Sequence, residues 1–152
     1  MTEDDILIDS NVLIYAFDKD ENEKNPIARA ILERIFNGET NAFLSTQNLS
    51  EFYYNVTKKI KKPLEVTEAK EIISDLVSLS NIKIVKIDEN TIINAIEISM
   101  KCNIHYWDAL IAAVMKEHNI VSIITENDKD FKKISWLKVI NPFINGSYRD
   151  SL

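Results

Sequence analysis

Short apolar runs alternate with longer stretches of helical period along the whole chain, and this alternation limits the fold more than any other feature. Residues 6–8, 42–44, 82–87, 121–124 and 138–140 have the length of strands and are mostly apolar. The first ends in Asp9, Ser10 and Asn11, which favour turns and helix caps, and residues 12–17 continue apolar. After a charged loop at 18–25, Pro26 opens a helix carrying Ile27, Ala30, Ile31, Ile35 and Phe36, closed by Asn37 and Gly38. Ser45 or Thr46 can cap a helix with Leu49, Phe52, Tyr53, Val56 and Ile60 on one stripe, ended by Pro63. Residues 67–79 form another helix, with Ile72, Ile73, Leu76 and Leu79 inward. In 90–101, capped by Asp88 or Asn90, the residues Ile92, Ile93, Ile96 and Met100 are periodic. An apolar helix over 106–115, a polar turn at 125–130 and a short helical turn at 131–134 complete the order. Repeated strand-to-helix alternation predicts an α/β domain whose mainly parallel sheet of four or five strands is covered by helices.

The chain of 152 residues suits one domain with a sizeable core. Its single cysteine, Cys102, reads as a small buried apolar residue and fits a reducing compartment. The acidic N-terminus is unlike a signal peptide, and no apolar run nears the roughly 20 residues of a membrane span. The expectation is a cytoplasmic protein without a membrane partner. A net charge of -6 argues against a general nucleic-acid binder unless a local basic patch overrides it. Two glycines leave no room for a Gly-rich phosphate loop.

Three carboxylates stand where an α/β sheet would place a ligand, beyond the carboxyl ends of its strands. Asp9 follows the first strand and Asp128 comes shortly after the fourth. Asp108 is the lone charge in Tyr106-Trp107-Asp108-Ala109-Leu110-Ile111-Ala112-Ala113. On a helix its neighbours one turn away are Ile104, His105, Ile111 and Ala112, none of them Lys or Arg. A buried carboxylate needs a partner, a metal or a proton. Clustered acids with few His or Cys favour a hard cation such as Mg²⁺ or Mn²⁺, which cancels their repulsion. The two histidines, His105 and His118, lack zinc spacing.

Four stretches carry a resemblance. Leu7-Ile8-Asp9-Ser10-Asn11-Val12-Leu13, Ser45-Thr46-Gln47 running into Ser50-Glu51-Phe52, the Asp108 stretch, and Thr125-Glu126-Asn127-Asp128-Lys129-Asp130-Phe131 look like the successive motifs of PIN-domain ribonucleases. They are similar in particular to toxins of prokaryotic toxin–antitoxin pairs. The resemblance implies a three-layer α/β/α sandwich and Mg²⁺ or Mn²⁺ held by Asp9, Glu51, Asp108 and Asp128. It further implies metal-assisted hydrolysis of RNA, leaving a 5′-phosphate and a 3′-hydroxyl. Asn11, Thr46 and Thr125 become candidates to orient the ligands by hydrogen bonds. Glu126, Asp128 and Asp130 are all acids, and alignment on Asp128-Lys129-Asp130-Phe131 selects Asp128. An antitoxin partner and a homodimer are implied by the resemblance alone.

Plainer roles exist for the same residues. Asp9 can cap the helix that follows it, and Asp108 can be satisfied by backbone N–H groups at a helix start. Glu51 falls opposite the apolar stripe of its helix, as a solvated glutamate would. Lys58, Lys59, Lys61 and Lys62 are a dense basic run, either a solvated helix end or a track for RNA phosphates. Trp107 and Tyr106 could stack bases, but in an apolar helix they read as core. Two rivals remain: a PIN-like binding module without catalysis, and a phosphatase with Asp9 as nucleophile. The second is weakened because Asn11 stands where its acid would be.

Overall fold

A computed structural model describes residues 5–144. Five strands, β1 (Ile6–Ile8), β2 (Ala42–Ser45), β3 (Ile82–Val85), β4 (Ser122–Ile124) and β5 (Lys138–Ile140), form one sheet in the order β3-β2-β1-β4-β5. Every pairing is parallel, with Leu7 opposite Phe43 on one side and Ile123 on the other.

Side chains alternate across the sheet, and each face has its own core. Ile6, Ile8, Ala42, Leu44, Ile82, Ile124 and Ile140 join α1 (Ser10–Phe17), α2 (Lys24–Phe36), α3 (Thr46–Lys58) and α4 (Val66–Ser78). Leu7, Phe43, Val85, Ile123 and Val139 join α5 (Glu89–Cys102), α6 (Tyr106–Glu117) and the one-turn α7 (Asp128–Phe131). The result is the three-layer sandwich, and strands apolar on both faces are what such burial demands. Among the described residues no helix is long and apolar enough to cross a membrane.

Local chemistry starts and stops these helices. Asp9 caps α1, Ser45 and Asn48 form a capping box on α3, and Asp88 with Thr91 forms another on α5. Gly38 takes φ +75° just past α2, a backbone that L side chains rarely adopt.

Two sequence expectations are corrected, for Trp107 and Cys102, and the periodic stripe of α5 is found facing outward. The periodic stripe Ile92, Ile93, Ile96 and Met100 faces solvent, because α5 packs against α6 through its smaller face, with Thr91 and Ala95 buried against an alanine-rich helix. Trp107 is 63% exposed rather than core, since the first turn of α6 reaches past its packed alanines. Cys102 is only half-buried, packed against the second core.

Candidate active site

The carboxyl edge of β1 delivers Asp9 into a nearly complete cage of donors. Its Oδ1 accepts from the Ser10 backbone N–H at 2.8 Å, and its Oδ2 from Thr125 Oγ1 at 2.7 Å and Asn11 Nδ2 at 3.3 Å. Only 4% of Asp9 is exposed, and burial pushes its carboxyl up despite these bonds. Asp9 thus caps α1 and also lies bonded across to Thr125 beyond β4.

Glu51, on α3, leans toward the same place. The Ser10 hydroxyl lies 3.2 Å from its Oε1 and 3.5 Å from Asp9 Oδ1. Burial and then the Asp9 charge raise its pKa, while Ser10 and Gln47 oppose the rise. Gln47 also donates from Nε2 to the Trp107 carbonyl at 3.0 Å, tying the first turn of α3 to the first turn of α6.

Asp108 projects from that first turn of α6, and its Oδ2 accepts from Asn127 Nδ2 at 2.7 Å. Its pKa is pushed up to about 7, chiefly by burial and then by Asp9, Asp130 and Glu51. An acid at a helix N-terminus is ordinarily stabilised by the helix dipole; here burial and repulsion prevail.

The last motif divides its acids among separate partners. Glu126 pairs with Lys24 and accepts from the Tyr15 hydroxyl at 2.7 Å. Asp128 meets Lys132 at 3.3 Å and accepts from Asn141 Nδ2 at 3.2 Å. Burial works to raise its pKa, but those two partners outweigh it and hold the carboxyl low. Asp130 shares the Asn127 amide with Asp108, 3.5 Å away, and has Lys133 at 3.7 Å. The structure thus sets Asp130, rather than Asp128, beside Asp108. The cause is helical phase: α7 begins at Asp128, so residues 128 and 130 point about 200° apart.

Of the candidate orienting residues, Asn11 and Thr125 both donate to Asp9. Thr46 instead accepts from the Ile87 backbone N–H at 3.4 Å, pinning the end of β3. Sequence reasoning missed Ser10, Gln47 and Asn127 as site residues. The only signal for them was adjacency to motif acids, since the hydrogen bonds cross between elements.

The sequence matches the PIN domain family model over residues 6–137. The chain belongs to the PIN domain family. A comparison with curated proteins gave no match. Among solved structures, a toxin–antitoxin complex from Klebsiella pneumoniae is 21% identical, with 90% of this chain and 97% of that chain covered at a TM-score of 0.64. VapBC2 from Rickettsia felis, bound to a promoter DNA fragment, is 22% identical, covering 90% and 98% at 0.62. VapC20 from Mycobacterium tuberculosis, described as a sarcin–ricin loop-cleaving toxin, is 11% identical, covering 84% and 93% at 0.64. At these identities the likeness shows the PIN fold.

In this PIN domain the donor set Asp9, Glu51, Asp108 and Asp130 consists of oxygens alone, the chemistry that suits Mg²⁺ or Mn²⁺. A dication would offset their mutual repulsion. Among the described residues no three acids, histidines or cysteines stand in metal-holding geometry, so fit here means donor type and charge. The lysine run lies at the far end of α3, with Lys58 about 10 Å along the axis from Glu51. Lys58, Lys59, Lys61 and Lys62 are all exposed, with Lys59 over the Tyr54 ring and Lys62 at 3.8 Å from Asp20.

Proposed function

We propose that this PIN domain is a metal-dependent endoribonuclease that acts in the cytoplasm as a toxin and is restrained by an antitoxin. The observation that carries the reading is the convergence of acids at the carboxyl edge of the sheet: the Ser10 hydroxyl lies between Asp9 and Glu51, and Asn127 lies between Asp108 and Asp130. Such a cluster is costly to keep unless a divalent cation uses it. Bound there, Mg²⁺ or Mn²⁺ would neutralise phosphate charge and activate water for hydrolysis of an RNA phosphodiester. Asp9, Glu51, Asp108 and Asp130 would hold the ion. Thr125, Asn11 and Asn127 keep Asp9 and Asp108 aimed by hydrogen bonds, and Ser10 spaces Asp9 from Glu51.

The family supports a nuclease, and the neighbouring toxin–antitoxin structures support a toxin with an antitoxin partner. The exposed aliphatic stripe on α5 is a surface of the kind protein partners cover, whether an antitoxin or a second copy of this chain. The lysine run would guide RNA phosphates toward the acids. The phosphatase reading fits poorly, because Asn11, which cannot act as a general acid, stands where that acid would be and donates to Asp9. The test is induction in cells followed by mapping of new 5′-phosphate ends. The nuclease reading expects discrete new ends and growth arrest with the wild-type chain and neither with Asp108→Asn. Equal outcomes for both chains would leave the non-catalytic binding module.

A further inference from the structure

The exposed aromatic next in sequence to Asp108 is Trp107. Its backbone is fixed, because its carbonyl accepts the Gln47 amide, and its ring meets Tyr106 edge-on with centroids 5.2 Å apart and planes at 69°. The indole itself is 63% exposed, on the same first turn of α6 that carries Asp108. Carboxylates repel phosphate, so a nucleotide next to them is held better through its base. Aromatic faces provide that grip without regard to base identity.

We propose that Trp107 is a stacking platform for an unpaired base of the RNA substrate, seating the nucleotide that flanks the scissile phosphate. The inference rests on the ribonuclease reading above and adds a positioning residue to it. A protein occupant is less favoured, because α5 already offers an aliphatic surface of Ile92, Ile93, Ile96 and Met100. Trp107 instead shares its helical turn with Asp108 and is tied to the helix of Glu51.

The chain has two tryptophans, so Trp136→Phe leaves Trp107 as the only indole emitter. That variant is mixed in stopped flow, in Mg²⁺ buffer and before cleavage, with a short oligouridylate and with an abasic strand of equal length. Stacking predicts quenching by the oligouridylate and none by the abasic strand. It also predicts that Trp107→Ala weakens oligouridylate binding by about 5- to 150-fold while Trp107→Phe retains most of it. Equal quenching by both strands, or unchanged affinity in Trp107→Ala, overturns this inference and leaves the ribonuclease reading standing. A lower sedimenting mass for Trp107→Ala overturns it in favour of a protein interface. Failure of the wild-type chain to bind RNA overturns both readings together.

Discussion

Asp108 holds its proton to about pH 7 in the folded chain, against an ordinary value of 3.8, because it is buried beside other acids. Between those values the folded state keeps a proton that the unfolded state has released. Its contribution to stability is therefore lost as pH rises from about 4 to about 7, then levels off. Burial acts in the same sense on Asp9 and Glu51. Urea unfolding in EDTA should show wild-type stability falling across that window. Asp108→Asn should flatten the fall and be more stable at pH 8, by about 2 kcal/mol after solvent screening. A second prediction separates the acids of the last motif. Asp130→Asn should weaken Mn²⁺ binding about tenfold or more, whereas Asp128→Asn should change it by less than about twofold, both read by titration calorimetry. Asp9 and Asp108 were legible in the sequence because each interrupts or ends an apolar run. Asp130 was not, since residues 126, 128 and 130 are all acids and only the starting phase of α7 decides which one faces Asp108.

At the scale of elements, α3 joins opposite chemistries along one axis. Its capped start ties Gln47 to α6, its middle presents Glu51, and its end carries the lysine run. Replacing Lys58, Lys59, Lys61 and Lys62 together by glutamine should lower RNA affinity at low salt. It should also reduce the slope of log affinity against log salt by about 0.7 for each phosphate that a lysine no longer neutralises, measured by fluorescence anisotropy at several salt concentrations. Unchanged affinity would return the run to a solvated helix end. The strands and most helix boundaries were readable from apolar runs and caps, because sheet faces alternate and Asp9, Ser45 and Asp88 mark starts. The outward faces were not. Ile92, Ile93, Ile96, Met100 and Trp107 look like core by periodicity, and only packing of the small face of α5 on α6 reveals that they face solvent.

For the whole molecule, the parallel sheet does the assembling. Adjacent β1 and β4 bring Asp9 and the last motif together, and the helices leaving the same edge add Glu51 and Asp108. Acids far apart in sequence are brought to one edge of the sheet. On the proposed reading, a dication would bind at that edge before RNA is cleaved. The most direct test is cleavage of a 5′-labelled unpaired RNA by the purified chain. The expected result is cutting in Mg²⁺ or Mn²⁺, none in EDTA, and a loss of at least about a hundredfold in Asp108→Asn. Cutting that persists in EDTA, or at the wild-type rate in Asp108→Asn, would contradict the assignment of these carboxylates to a catalytic metal site.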